Sequence, residues 1–290
     1  MEKRSILVQL DPDQHPSVFD RVVAVDSGAD ELFAYGGVKP EQVRDLVHGA
    51  IFTRGPKDLK RTAIFVGGSN VQASEAIFNQ LLPAMVPQFG LRVSVMLDPN
   101  GSNTTAAAAV RSVTKQMDVN GKKVLLLAGT GPVGQRCAFL LAGLGASVII
   151  SSRTREKADA VLQEVAKRGV DKALLHAMQV ANNAELEKAL EGCEVVIATG
   201  AAGVCLLPAE VRRKFVGLKA VVDLNAVPPM GIEGVEVMDK GTIRDGVICF
   251  GAIGVGDLKM KVHRASISKL FERNDYVLDA REIYEIALGF

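Results

Sequence analysis

The sequence has no tryptophan, and aromatic residues make up only 5% of its 290 positions. So sparse an aromatic content argues against the stacking surface that a single-stranded nucleic acid needs. No charge sign predominates either. With 34 basic and 33 acidic residues the net charge is +1, and no long-range field draws a polyanion. No apolar run approaches the roughly 18 uninterrupted residues of a membrane helix. Cysteine is scarce: Cys137, Cys193, Cys205 and Cys249 form no C-x-x-C pair and no metal-like spacing with histidine. These absences point away from nucleic acid, membrane and metal, and toward a reducing cytoplasm. The start, Met1-Glu2-Lys3-Arg4, with only a short apolar run before Asp11, does not read as a signal peptide.

What is present is a 48% hydrophobic content, enough to build a core. In the first hundred residues Ser5–Leu10, Ile51–Thr53, Thr62–Gly67 and Leu91–Leu97 read as strands, while Pro40–Val47 and Val71–Leu82 have helical spacing. An Ala-rich helix follows over Asn103–Met117, and Asp118-Val-Asn-Gly is a turn sequence. Beyond it strand and helix alternate: Val124–Ala128, Val133–Gly143, Ser147–Ser151, Arg155–Lys167, Asn183–Leu190, Glu194–Thr199 and Lys219–Leu224. Val247–Phe250 adds a last strand, and Leu258–Phe271 and Ala280–Leu288 are helical. The expected fold is α/β, a Rossmann-type parallel-sheet domain over 118–257. A smaller α/β domain over 1–117 is completed by the C-terminal helices of 258–290.

The first chemical motif is Gly129-Thr130-Gly131-Pro132-Val133-Gly134, a G-x-G-x-x-G placed between a strand and a helix. Gly129 permits the tight turn, Gly131 lets backbone approach a pyrophosphate, and Gly134 lets helix and sheet pack closely. Pro132 falls in the first helical turn, where its missing N–H costs little. The free amides and the helix dipole favour phosphate there. The second strand runs into Ser151-Ser152-Arg153-Thr154-Arg155, with no acid before Glu156. An NAD site places a carboxylate here for the ribose 2′-hydroxyl. Hydroxyls and a guanidinium suit a 2′-phosphate instead, so the expected cofactor is NADP, with Arg153 as anchor and Ser152 and Arg155 as helpers. An ordinary solvated arginine is the plainer alternative for Arg153. Thr199-Gly200-Ala201 at one strand end and Asn225 at the next complete the candidate cofactor contacts, Asn225 being as readily a loop cap.

Asp98-Pro-Asn100-Gly-Ser102-Asn103-Thr104-Thr105 crowds six hydrogen-bonding side chains into eight residues. A helix N-cap explains some of them, and a ligand site would explain all. Gly251-Ala-Ile-Gly-Val-Gly256 reads as a flexible or closely approached loop. After it come Lys259, Lys261, His263 and Arg264, either a solvated helix face or, at Lys259, an anchor for a carbonyl or anionic group.

These residues together resemble the bacterial NAD(P)-dependent methylene-tetrahydromethanopterin dehydrogenases. Carrying the resemblance are Pro16-Ser-Val-Phe-Asp20, Thr53-Arg-Gly55, Ala63-Ile-Phe-Val-Gly-Gly68, Met96-Leu-Asp98, Asn100-Gly-Ser-Asn-Thr-Thr-Ala-Ala107, Ala128–Gly134, Phe250-Gly-Ala-Ile-Gly254 and Leu258–Arg264. They span nearly the whole chain, and the Asn-Gly-Ser-Asn-Thr-Thr string is the specific one. The family implies an N-terminal pterin-binding domain and a pterin lying in a cleft opposite the nicotinamide. By the same resemblance Lys259, Asp20 and Asp98 are the candidate catalytic residues, and Phe19, Asn100, Ser102, Asn103 and Thr104 the substrate contacts; His263 is added as a further substrate contact, a structural histidine being its plainer reading. Ile253 joins the cofactor contacts. Relatives restricted to NADP often carry Arg-Lys after the second strand, whereas this chain has Arg153-Thr154, so NAD is admitted as well. The resemblance further implies hydride transfer from the methylene carbon, no metal, and a homo-oligomer such as a trimer. Two other readings compete. One is a methylene-tetrahydrofolate dehydrogenase–cyclohydrolase, which needs a water-activating group such as a Tyr-x-x-x-Lys pair. The other is an NADP-sensing module without catalysis.

Overall fold

Strand formation starts where the first apolar run does, at β1 (Ile6–Leu10), in a computed structural model that describes residues 3–290. The chain divides into two compact units, one running to Thr104 and resuming over Met260–Phe290, the other spanning Thr105–Lys259. In the first unit α1 (Val18–Asp26) follows β1, and Ser17 caps it by accepting from the Asp20 N–H at 3.2 Å. Next come β2 (Glu31–Tyr35), α2 (Val43–Ile51), β3 (Thr62–Val66), α3 (Val71–Leu81), β4 (Ser94–Leu97) and α4 (Ser102–Thr114), within which the chain passes to the second unit.

One expected strand fails here, and another was not anticipated. Ile51–Thr53 is not a strand: Ile51 ends α2, whose Val43, Val47, Ala50 and Ile51 are buried at helical spacing. The missing strand is β2, an edge strand whose Phe33 and Tyr35 stay exposed, so it lacks the apolar run of a buried strand.

The second unit contains β5 (Lys123–Leu127), α5 (Pro132–Gly143), β6 (Ser147–Ser152), α6 (Arg155–Ala166), β7 (Leu175–Gln179), α7 (Asn183–Leu190), β8 (Val195–Ala198), α8 (Ala209–Arg212), β9 (Ala220–Asp223), β10 (Lys240–Arg244) and β11 (Val247–Phe250). Its seven strands lie in the order β10-β11-β9-β8-β5-β6-β7, all parallel except the β10–β11 pair. Strand order reverses between β5 and β8, and in open α/β sheets such a switch point is where ligands bind. A core of Leu125, Leu127, Val196, Ala198, Val221 and neighbours covers one face.

The Gly251–Gly256 stretch is a correction: apart from Gly251 it is not a loop but the opening of α9 (Ala252–Lys269), along which the chain returns to the first unit. Close approach, not flexibility, explains Gly251 and Gly254, whereas a Cβ on Gly256 would meet nothing within 4 Å. A Cβ on Gly254 would stand 1.9 Å from the Asp239 carbonyl oxygen, and one on Gly251 2.0 Å from that of Glu236. The two-residue strand β12 (Val277–Leu278) and α10 (Ala280–Ala287) then complete the first unit, whose parallel sheet runs β12-β4-β3-β1-β2. Val8, Leu10, Ile64, Val66, Val95 and Leu97 form its core with α2 and α3.

Candidate active site

The glycine loop leaves β5 at the switch point. Ala128 takes a left-handed backbone (φ 50), and Gly131 precedes the first helical residue, Pro132, without any side-chain cap. A Cβ on Gly134 would lie 2.4 Å from the Gly129 carbonyl oxygen, so helix and loop touch backbone to backbone. A Cβ on Gly131 would meet nothing within 4 Å, leaving the approach open that a pyrophosphate requires. The Gln135 side chain donates to the Thr130 carbonyl at 2.9 Å and steadies the turn. Val133 follows Pro132 in the first turn of α5, with the uncapped helix end in front of it. The loop thus fits a dinucleotide.

Beside it lies a cavity of about 210 Å³ lined in part by Ala128, Ser152, Arg153, Val180, Asn182 and Leu206. Apolar walls with a few polar groups suit an adenosine moiety. Ser152 is buried at the end of β6, while Arg153 is exposed and has no carboxylate partner among the described residues. Arg155, by contrast, pairs with Asp159 at 2.8 Å on its own helix. Val180 and Asn182 carried no sequence signal, because β7 before them is an edge strand with only Leu175 and Ala177 buried, and Leu206 lies in the irregular stretch between β8 and α8.

After β8, the Thr199 hydroxyl lies 3.2 and 3.3 Å from the carbonyl oxygens of Leu127 and Ala128. Gly200 leaves room for Leu206 and the Ala128 methyl, and Ala201 is exposed. After β9, the Asn225 amide donates to the carbonyls of Val227 and Pro229, both at 2.9 Å, and its oxygen accepts from the Val227 N–H. The loop-cap alternative therefore describes Asn225. Behind it, burial pushes the Asp223 carboxyl above its ordinary value, against the lowering by the N–H groups of Ile232, Asn225 and Gly231. Ile253 is exposed on α9 and ties its N–H to the Val237 carbonyl at 2.8 Å.

In the first unit the candidate substrate residues gather at the carboxyl ends of β1, β3 and β4. The Asp98–Thr105 string turns largely upon itself. Asp98 Oδ1 accepts from the N–H groups of Asn103 (2.9 Å) and Thr104 (3.0 Å), and Oδ2 accepts from the Thr104 hydroxyl at 2.7 Å. Ser102 donates to the Pro99 carbonyl, and Asn103 donates to the Leu97 carbonyl and to Asp279. Asp98, Ser102, Asn103 and Thr104 are buried; Asn100, at φ 52, is exposed. This is mainly the machinery that starts α4.

Phe19 and Asp20 begin α1, Phe19 half exposed and Asp20 buried. His263, fully buried on α9, stacks on Phe65 with ring centroids 6.0 Å apart and faces Phe19 at 6.2 Å. A Cβ on Gly67 would lie 3.3 Å from Asp20 Oδ2 and 3.5 Å from Asp11 Oδ2, so these two carboxylates flank the same glycine. Burial raises the Asp11 carboxyl above its ordinary value, partly offset by the N–H groups of Asp13 and Ser17. Asp11 did not stand out in the sequence, and Phe65 entered only as part of the Ala63–Gly68 string. Lys259 is half-buried on α9, one helical turn before His263. Tyr276 and Tyr284 lack a lysine four residues on. Tyr35 does precede Lys39 by four, but the pair straddles the turn after β2 and does not share a helix face.

A family description, methylene-tetrahydromethanopterin dehydrogenase, N-terminal, matches residues 18–100. The chain is 46% identical to the Bifunctional protein MdtA of Methylorubrum extorquens over 98% of both chains. It is 32% identical to the NAD(P)-dependent methylenetetrahydromethanopterin dehydrogenase of the same organism, again over 98% of both. Among solved structures it is similar to a shikimate 5-dehydrogenase from Listeria monocytogenes, with a TM-score of 0.55 and 14% identity over 98% of this chain and 96% of that one. The 5-ketofructose reductase of Gluconobacter sp. strain CHM43 gives 0.54 and 15% over 99% of both. At such identities these structures share the fold alone. On the strength of the two full-length relatives, the chain belongs to the methylene-tetrahydromethanopterin dehydrogenase family.

Proposed function

We propose that this chain oxidises methylene-tetrahydromethanopterin to the methenyl pterin with NADP, and accepts methylene-tetrahydrofolate and NAD as secondary partners. The observation that carries this reading is the full-length likeness to an NAD(P)-dependent methylenetetrahydromethanopterin dehydrogenase. It is supported by a glycine loop open at Gly131 and a second strand that ends in Ser152-Arg153 without an acid. NADP, when bound, supplies the hydride acceptor at nicotinamide C4.

The protein's own residues bind and orient. The loop amides and Arg153 hold the dinucleotide, with Gly200, Ala201 and the Asn225 loop shaping its far end. Phe19, with His263 behind it, offers an apolar wall to the pterin ring, and Lys259 anchors a polar edge of the pterin. Hydride loss leaves a cation spread over two pterin nitrogens, so no proton is removed and no general base is needed. A carboxylate favours that cation as it develops. Asp20 is the better candidate, because the oxygens of Asp98 are committed to α4. Positioning of the two rings carries most of the rate.

Exposed Val18, Val22 and Val25 along α1 support a homo-oligomer, and four free cysteines, three of them buried, support a cytoplasmic setting. No helix among the described residues is long and apolar enough to cross a membrane. The test is purified protein with each pterin and each nucleotide, followed by absorbance. Reduction of NADP with methylene-tetrahydromethanopterin is expected, with the methenyl product persisting. Nucleotide binding without reduction overturns the reading, and decay of the methenyl product beyond its spontaneous rate favours the dehydrogenase–cyclohydrolase.

A further inference from the structure

The β5 ladder stops short of the glycine loop. Its register with β6 runs to Leu126↔Ile150 and that with β8 to Leu127↔Ala198. The next residue, Ala128, is not a glycine, yet it is left-handed at φ 50. Such a conformation strains a residue with a Cβ and persists only where the surroundings hold it.

Two hydroxyls from the flanking strands do so. On one side Ser151 Oγ donates to the Leu126 carbonyl at 2.9 Å and accepts from the Ala128 N–H at 3.3 Å. The Ser151 carbonyl takes the Gly129 N–H at 2.9 Å. On the other side the Thr199 hydroxyl reaches the carbonyls of both Leu127 and Ala128, while its own N–H donates to Leu127 at 3.0 Å. Gly200 completes the clamp from below: a Cβ there would stand 3.1 Å from the Ala128 methyl. Ser151 is buried, and its hydroxyl is taken up at both its donor and acceptor sides.

We propose that Ser151 and Thr199 are positioning residues for the phosphate loop, their hydroxyls fixing Ala128 in the left-handed conformation that aims the Gly129–Gly131 amides at a dinucleotide pyrophosphate. The assignment rests on the dinucleotide reading of the loop and revises the expected role of Thr199, which acts through the loop's backbone. Ser151 precedes the residues that face the 2′-phosphate, so the two effects must be separated. A pyrophosphate effect weakens NADP and NAD alike and spares 2′-AMP, which carries the 2′-phosphate but no pyrophosphate. An effect through Ser152 or Arg153 weakens 2′-AMP with NADP and spares NAD.

The experiment is calorimetric binding of NADP, NAD and 2′-AMP to the full chain as wild type, Ser151→Ala, Thr199→Val and Ser151→Ala with Ala128→Gly. The single variants are expected to weaken NADP and NAD by the same factor of about ten, the worth of one lost hydrogen bond. The 2′-AMP affinity stays at the wild-type value. Glycine at 128 adopts the turn without strain and is expected to recover part of the loss in Ser151→Ala. Unchanged NADP affinity in both single variants, or an equal loss for 2′-AMP, overturns the proposal; should one variant not fold, the other decides. Binding is read and not turnover, so a protein that binds NADP but oxidises neither pterin overturns the proposed reaction while these ratios still decide the clamp.

Discussion

Oδ2 of Asp98 lies 4.0 Å from Nδ1 of His263, with both side chains fully buried. The carboxylate therefore joins the end of β4, the first turn of α4 and the imidazole of α9. It accepts from two backbone amides and one hydroxyl, so its loss orphans buried donors, each worth about 1–3 kcal/mol. Asp98→Ala is expected to lower stability by about 3 kcal/mol. Asp98→Asn keeps one oxygen for the two amides and is expected to lose only about 1 kcal/mol. Urea titration of both variants measures the difference, and equal losses would show that the carboxylate does not hold the helix.

Gly131 and Gly134 stand three residues apart in one motif and fail in opposite ways. A methyl at 134 meets the Gly129 backbone at 2.4 Å, and neither partner is a flexible side-chain end that could yield. Gly134→Ala is expected to cost about 1–3 kcal/mol in stability and to weaken NADP binding. A methyl at 131 meets nothing, and the backbone there (φ −74, ψ 171) accepts alanine. Gly131→Ala is expected to unfold at the wild-type temperature yet lose NADP affinity, because the methyl stands where the pyrophosphate approaches. Thermal unfolding and calorimetry on the two proteins separate the effects. Destabilisation by Gly131→Ala would contradict the open approach.

Much of the second unit was legible because its signals are local. The glycine spacing and the β-branched runs of buried strands lie within a few residues of what they specify. The edge strands β2 and β7 were not legible, since an edge strand need not bury both faces and its apolar pattern thins. Polar residues were read for type but not for direction. Asp98, Ser102, Asn103 and Thr104 look the same in sequence whether they turn toward a ligand or toward one another, and they turn toward one another. The role of Ser151 depends on the φ of Ala128, 23 positions away in the turn after another strand, which no local pattern carries. Gly254 likewise reflects a carbonyl at Asp239, brought close only by the fold.

Arg153 is exposed at the rim of the 210 Å³ cavity, with no carboxylate to neutralise it among the described residues. A charge-assisted hydrogen bond to a 2′-phosphate is worth about 1.5–3 kcal/mol. Arg153→Ala is therefore expected to raise the KM for NADP about 10–100-fold while leaving that for NAD within about twofold. Steady-state kinetics with both nucleotides provide the check. An equal rise for the two would place Arg153 elsewhere than on the 2′-phosphate.

Asp239 links the turn before β10 to the end of that strand. Burial is the largest single influence and raises its carboxyl, but Arg244, clasping both oxygens at 2.8 Å, the Glu236 N–H and the Thr242 hydroxyl together outweigh it. The net effect holds the group below its ordinary value of 3.8. A carboxylate lowered on folding contributes stability that is complete above the unfolded-chain value and drains away as pH falls through the folded one. The affected window therefore opens near pH 4 and extends below it. Asp239→Asn is expected to be less stable at pH 7 by about 2 kcal/mol, the worth of a hydrogen bond to a charged group. From pH 5 to pH 3 the wild type should then lose more stability than the variant, so that the gap between them narrows. Denaturant titration at each pH follows that gap. A constant gap would mean that the clasp does not depend on the charge of Asp239.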